Sequence, residues 1–264
     1  MLAAERRARI VELVQAQGAV SVSELVGRFH VSDMTIRRDL DALAGEQAVQ
    51  KVHGGAVSTR SRRTEEPAFE AKSARMEAQK TAVADAAAQL VEPGMSVALS
   101  AGTTTWALAR RLREVPELTV ITNSTRISDL FHEDPRADRT VILTGGVRTR
   151  SNALVGPTAV AALSSIHVDL AFLGAHGIAE GAGCTTPNFL EAETNRAIIA
   201  AAQRAAVLAD HSKWGVVGVM TFAQLHALDV LITDDGLEPE AAGLLAEQVG
   251  ELRRASTGDV REPT

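Results

Sequence analysis

Gly102-Thr103-Thr104-Thr105 stands between the apolar run Val97-Ala98-Leu99 and a helical stretch from Trp106 to Leu112. Strand, glycine turn and helix start in that order gather free backbone N–H groups and hydroxyls, which suits an anion, most naturally a phosphate. The same residues also read as a threonine helix cap with no ligand. Lys213, in Asp210-His211-Ser212-Lys213 after the run Ala206-Val207-Leu208, adds an ammonium that can reach a phosphate held by a neighbouring loop. Taken alone it is an ordinary surface lysine, although lysine is scarce here: Lys51, Lys72, Lys80 and Lys213 are the four. Other apolar runs end in Thr122-Asn123-Ser124, Thr144-Gly145-Gly146 and Gly174-Ala175-His176-Gly177. Small polar residues at the carboxyl ends of parallel strands are where open α/β sheets bind ligands. The glycines admit a close approach to the backbone, or serve the turns alone.

A second set of residues has different chemistry. Met34, Thr35, Arg37 and Arg38 present thioether, hydroxyl and guanidinium groups that suit thymine methyls, base edges and phosphates in a major groove. By itself the arginine pair also reads as a solvated helix face. The elements around it favour the groove. Ile10, Leu13 and Val14 mark one helix face that Gly18 can close. Ser21-Val22-Ser23-Glu24 is a capping-box pattern opening a second helix with Leu25 and Phe29 inward. Ser32 caps a third, carrying Ile36, Leu40 and Leu43 inward, and is itself a candidate DNA contact. Val49-Gln50-Lys51-Val52 and Ala56-Val57 then flank His53-Gly54-Gly55, the pattern of a small hairpin whose Lys51 and His53 can touch DNA. Three short helices and a hairpin make a winged helix-turn-helix.

From residue 75 onward helical and extended segments alternate, with apolar runs at 97–99, 118–121, 141–143, 168–173, 206–208 and 230–232. That is a largely parallel sheet with crossover helices, an α/β, Rossmann-like domain. The expected division is a DNA-binding domain at 1–57, a linker at 58–74, an α/β domain at 75–254 and a flexible tail at 255–264. A length of 264 residues fits two domains. Residues 1–63 carry net charge +3 and the remainder −9, which permits nucleic-acid binding by the head without requiring it. The single cysteine, Cys184, excludes an internal disulfide and suits a reducing cytoplasm. The apolar runs are too short to span a bilayer, so no membrane is expected. The scattered histidines lack metal-ligand spacing. Asp210-His211-Ser212 is a run of neighbours and not a triad. No metal, cofactor or catalytic residue is expected.

TIRRDLDALAGEQAVQKVHGGAV resembles the winged-helix signature of the DeoR-type bacterial transcription regulators, whose Thr-Ile-Arg-Arg-Asp-Leu helix reads DNA. Here those positions are Thr35, Ile36, Arg37, Arg38, Asp39 and Leu40, with Ile36 and Leu40 assigned to packing and Asp39 to positioning an arginine. LSAGTTTWALA, VITNS, VILTGGVRTRSNALVGP, VDLAFLGAHGI, TTPNFLEAE and LADHSKWG resemble, in that order, the family's sensor domain, so the likeness spans about 1–235. It implies a pentose-phosphate-isomerase-like sensor fold and a phosphorylated sugar, or a relative of one, as effector. By the resemblance, Gly102, Thr103, Thr104 and Thr105 with Lys213 hold the phosphate. Asn123, Gly145, Gly146, Gly174, Gly177 and Glu191 line the polyol side, with Arg148 close to it. Two positions depart from the family pattern: Ser100 replaces a common aspartate, and Asn195 a common lysine. Both changes bear on which hydroxyls are recognised.

The resemblance implies a repressor on double-stranded operator DNA, assembled as a homo-oligomer, dimer or tetramer. The rival is an enzyme, a sugar-phosphate isomerase with an appended DNA-binding head. Isomerisation needs a general base beside a carbinol carbon. Ser100 removes one candidate carboxylate, His176 stands where an isomerase is expected to offer an acid, and Glu191 remains a possible base.

Overall fold

Apolar residues at three- and four-residue spacing up to Leu43, followed by a short alternating stretch, fold into a small mixed unit. The computed structural model describes residues 3–17, 19–46, 48–52, 54–58, 69, 73 and 75–259, and the chain divides into two units, residues 1–63 and 64–264. The first holds helices α1 (Ala3–Gln17), α2 (Val22–Phe29) and α3 (Asp33–Gly45) and strands β1 (Ala19–Ser21), β2 (Val49–Val52) and β3 (Gly55–Ser58). The Ser21 hydroxyl accepts the Glu24 amide at the start of α2. His30, in the left-handed region at φ 53°, ends that helix, and two residues later Ser32 caps α3 by accepting the Thr35 amide. Tight termini of this kind make the helix–turn–helix corner. Ile10, Val14, Leu25, Ile36, Leu40, Leu43, Val49 and Ala56 form one core, the large aliphatic side chains each contributing roughly 1.5–3 kcal/mol on burial.

Asp39 sits under α3, only 5% exposed. It accepts the Arg6 Nε–H at 2.6 Å and lies 3.4 Å from Arg7 Nε, so it ties α1 to α3, in keeping with its expected positioning role. β2 and β3 form the antiparallel wing. The three residues of β1, too few to register as a strand in the sequence, complete the sheet in the order β1-β3-β2. Gly55 is required by that addition: a Cβ there would stand 2.2 Å from the Val20 carbonyl oxygen.

The second unit is built on a seven-stranded parallel sheet. Its strands are β4 (Ser96–Leu99), β5 (Thr119–Thr122), β6 (Thr140–Leu143), β9 (Val168–Gly174), β12 (Ala202–Leu208), β14 (Val230–Asp234) and β15 (Glu251–Ala255). Their order is β15-β14-β12-β9-β4-β5-β6, so the winding reverses between β4 and β9. Helices α4 (Glu77–Ala88), α5 (Thr103–Leu112) and α6 (Thr125–His132) supply one core; α7 (Pro157–Leu163), α8 (Phe189–Ala200) and α9 (Pro239–Gln248) supply another. Along β9, Leu170 and Phe172 enter the first core, and Ala171 and Leu173 the second. Alternating residues of β9 thus feed two separate helix layers, which is why the central strands carry continuous apolar runs.

Several expectations are corrected. A further strand, β15, follows Val230–Asp234 and pairs beside it, beyond the last of the apolar runs. Its sequence, ELRRA, hides it: charged residues are what an edge strand carries to discourage further pairing. The expected tail at 255–264 starts too early. Ala255 belongs to β15, and Thr257–Asp259 form a 3-10 turn held by two bonds from Thr257 to the Asp235 carboxylate. The expected linker at 58–74 is also too long at both ends, since Ser58 belongs to β3 and Phe69 is buried. The Phe69 ring meets Trp106 edge-on at 6.0 Å, and most of the remaining linker lies outside the described residues. A second, antiparallel sheet was also not expected; it joins β10 (Gly177–Ala179), β11 (Gly183–Thr186) and β13 (Met220–Ala223). Finally, β7 (Val147–Arg148) and β8 (Leu154–Val155) form a two-stranded arm. Cys184 on β11 is fully buried, and burial pushes its thiol up to about 12.

Candidate DNA-reading face and anion site

In the first unit the exposed surface of α3 carries Asp33, Met34, Arg37 and Arg38, with Thr35 half-buried. Met34 is 61% exposed. Ser32 is spent on the helix start, accepting the Thr35 amide and sharing a hydrogen bond with its hydroxyl. The Arg37 guanidinium donates twice to Asp33, at 2.5 Å and 3.3 Å. Lys51, on the wing, donates to Asp41 at 2.5 Å. Arg38 is exposed and makes no ion pair among the described residues. His53 lies outside the described residues. The two carboxylate partners were not recognised in the sequence, although positions 33, 37 and 41 stand at the four-residue spacing that makes helix neighbours.

In the second unit the expected ligand residues collect at the carboxyl edge of the parallel sheet, around the reversal between β4 and β9. Ser100 ends β4; it is buried, and its hydroxyl accepts the Gly174 amide at the end of β9. Asn123 ends β5, buried, with Oδ1 accepting the Ala101 amide at 2.8 Å and Nδ2 donating to the Leu154 carbonyl. Asn123 therefore braces the Gly102–Thr105 loop from behind.

That loop opens α5 without a side-chain cap. Thr105 donates its hydroxyl to the Gly102 carbonyl. The Thr103 and Thr104 hydroxyls, and the amides of Thr103 to Thr105, have no partner among the described residues, although all three threonines are buried. Ser21, Ser32, Ser124 and Asn188 cap their helices, while α4, α7 and α9 also start without a side-chain cap, so it is the buried, unspent threonine hydroxyls that set α5 apart. Unspent donors at the positive end of a helix are suited to an anion.

Lys213 lies on a 3-10 turn, His211–Lys213, just past the end of β12. β12 pairs with β9 and β9 with β4, so the turn stands two strand spacings, about 10 Å, from the threonine loop. Asp234 pins this turn. Wholly buried, its carboxylate accepts the His211 amide at 2.7 Å, His211 Nδ1–H at 2.6 Å and the Gly236 amide at 3.0 Å. The bond to Asp234 raises the His211 pKa against the opposing effect of burial. Burial pushes Asp234 upward, but its hydrogen bonds with His211 outweigh that and leave it lowered.

A raised histidine stabilises the fold fully below its unfolded value of about 6.5 and loses that contribution as pH climbs through the folded value. The lowered Asp234 contributes above the ordinary carboxylate range and is lost as pH falls through its own folded value. Between those limits the turn is held best. The melting temperature of wild type is therefore expected to fall by a few degrees from about pH 6 to about pH 9, and His211→Gln to flatten that fall. Equal slopes in the two proteins would remove the pair from the stability of this turn.

Glu191, in the first turn of α8, is tied on both oxygens. Oε1 accepts the hydroxyls of Thr149 (3.1 Å) and Ser151 (2.6 Å), and Oε2 that of Thr186 (3.1 Å). Thr149 and Ser151 lie between the strands of the β7–β8 arm, in the run of small hydroxyl residues after Gly145-Gly146 that is their signal in the sequence. Gly145 and Gly146 follow β6, both at positive φ. Arg148 is exposed and donates to Asn152 Oδ1 at 3.2 Å and 2.5 Å, so its head group is held on the arm. Gly177 begins β10, where a Cβ would stand 2.1 Å from the Val216 carbonyl oxygen; the glycine is needed for packing. Asn195 is buried on α8. No group of three potential metal-ligating side chains occurs among the described residues, and no described helix is long and apolar enough to cross a membrane.

A winged helix-turn-helix followed in the same chain by a doubly wound α/β unit is the build of a transcriptional regulator with a sensor domain. The model of the DeoR-like helix-turn-helix domain matches residues 6–62, and that of the DeoR C terminal sensor domain residues 75–235. The HTH-type transcriptional regulator YgbI of Escherichia coli (strain K12) is 39% identical over 249 residues, 94% of this chain and 96% of that one. HTH-type transcriptional regulator GlpR of Haloferax volcanii is 37% identical over 91% of this chain and 93% of its own. A putative aga operon transcriptional repressor of Escherichia coli O157:H7 is 33% identical over 90% and 88%. The chain belongs to the DeoR family of transcriptional regulators.

Proposed function

We propose that this protein represses a carbohydrate-metabolism operon by binding double-stranded operator DNA through α3 and the β2–β3 wing. A phosphorylated sugar or sugar derivative, bound at the carboxyl edge of the parallel sheet, relieves that repression. The observation that carries the effector half is the uncapped start of α5, with buried Thr103 and Thr104 hydroxyls and helix-end amides all unspent. Lys213, two strands away, supplies the compensating positive charge. Asn123, Gly145, Gly146, Gly174 and Glu191 shape the remainder of the site. Because Ser100 and Glu191 are already engaged with protein donors, the sugar hydroxyls are read largely by backbone groups beside them. The similar aga operon repressor is consistent with a carbohydrate setting.

Coupling follows from linkage: the effector and the operator favour different arrangements of the protein, and each weakens the binding of the other. A single winged helix offers limited contact, so a dimer or tetramer on repeated half-sites supplies the affinity. With DNA as its partner, the protein works in the cytoplasm. The isomerase reading needs a carboxylate free to take a proton from carbon. Glu191, the candidate, has both oxygens committed to hydroxyls, which weighs against catalysis.

Thermal unfolding against a panel of sugar and sugar-alcohol phosphates, each beside its unphosphorylated parent, tests the effector site. A ligand at about 100 times its dissociation constant adds roughly 2.7 kcal/mol. A rise with one phosphate and not its parent is expected. The absence of any rise across the panel would remove the phosphate from the proposal, and turnover of any member would restore the enzyme.

A further inference from the structure

Four charged side chains form a ladder across the face that α3 and the wing present. Asp33, Arg37 and Asp41 follow each other at four-residue spacing on α3, and Lys51 reaches Asp41 from β2. The contacts are close, Arg37 to Asp33 at 2.5 Å and Lys51 to Asp41 at 2.5 Å. All four side chains are exposed, between 42% and 58%. Two cations expected to meet DNA thus arrive already paired with carboxylates, while Arg38 beside them makes no ion pair among the described residues.

Stability does not account for the pairing. Exposed ion pairs contribute at most about 1 kcal/mol, whereas a carboxylate set against phosphates opposes binding. We infer that Asp33 and Asp41 are specificity-determining residues: they hold Arg37 and Lys51 in internal pairs whose opening costs binding energy on random DNA and is offset by base contacts on the operator. On random sequence the only attraction is to phosphates, and two of the cations are neutralised before contact. On the operator, base contacts made by α3 offset the cost of opening the pairs, freeing both cations for the duplex. Selectivity then comes from a penalty on the wrong sequence as much as from attraction to the right one. This rests on α3 being the DNA-reading helix.

The test uses the full chain with two duplexes of equal length, one recovered by binding selection from a random pool and one of unselected sequence. Asp33→Asn/Asp41→Asn is expected to tighten binding to the unselected duplex by about tenfold and to the selected duplex by clearly less. On the unselected duplex, the slope of log K against log salt concentration should steepen by about 1 to 2, as two more cations meet phosphates. Equal tightening on both duplexes, or none, would overturn the inference. Asp33 also lies in the first turn of α3, where an acid favours the helix. Asp41→Asn alone, away from that end, should therefore reproduce part of the effect with an unchanged melting temperature. Arg38→Ala separates the two failures: if it binds both duplexes like wild type, α3 is not the reading helix and the underlying assignment falls first.

Discussion

Lys213→Ala is expected to keep its fold and its operator while losing its response to the sugar phosphate. The side chain is half-buried on a short turn anchored by Asp234, so its removal leaves the backbone bonds of that turn in place. The loss that bears on the ligand is a charge-assisted hydrogen bond, worth about 1.5–3 kcal/mol, or roughly 10- to 150-fold in affinity. The check is a titration of whichever phosphate stabilises wild type, followed by thermal unfolding, beside operator binding with and without that compound. A variant that releases its operator at the wild-type ligand concentration would place the ammonium outside the site. The threonine loop would then hold the phosphate alone.

Arg38→Ala should damage DNA binding more than Arg37→Ala on unselected duplex. The sequence presents two adjacent arginines as equals. The structure separates them, since Asp33 holds Arg37 while Arg38 extends without an ion pair among the described residues. An arginine meeting a base edge or phosphate contributes about 1–3 kcal/mol, so losing the uncommitted one weakens binding roughly 5- to 150-fold. The Arg37 variant loses little on random sequence, because that cation was neutralised already. Fluorescence titration of both variants on the same duplex decides it, and the reverse ranking would mean that the pair to Asp33 opens without cost.

The residues that could be read in advance were those whose role is local. Ser21 and Ser32 announced their helices because a cap acts on the amides two and three residues on, within one turn of sequence. The apolar runs announced the buried parallel strands for the same reason. Asn123 was placed correctly at a strand end, but its brace on Ala101 and Leu154 joins three separate segments, and nothing in the local pattern states that. Glu191 stands on the polyol side by the resemblance. Its hydroxyl partners Thr149 and Ser151 come from some forty residues earlier in the chain, a distance at which spacing carries no signal. β15 escaped for another reason: its arginines and glutamate satisfy the needs of an edge, and they interrupt the continuous apolar run that marks the interior strands.

The two units also differ in how much chain must exist before each can close. In the first, the longest strand pairing joins Ala19 to Val57; α2 and α3 lie within that span and α1 directly precedes it. In the second, the central pair of the sheet joins Val97 to Leu170, and β12 cannot add until β9 is in place. Chains rich in near-neighbour contacts fold quickly and those with distant pairings slowly, and synthesis proceeds from the N-terminus. On the ribosome the DNA-reading head therefore matures well before its sensor. Each new molecule passes through an interval in which its head is folded while the unit that would answer to a ligand is still incomplete.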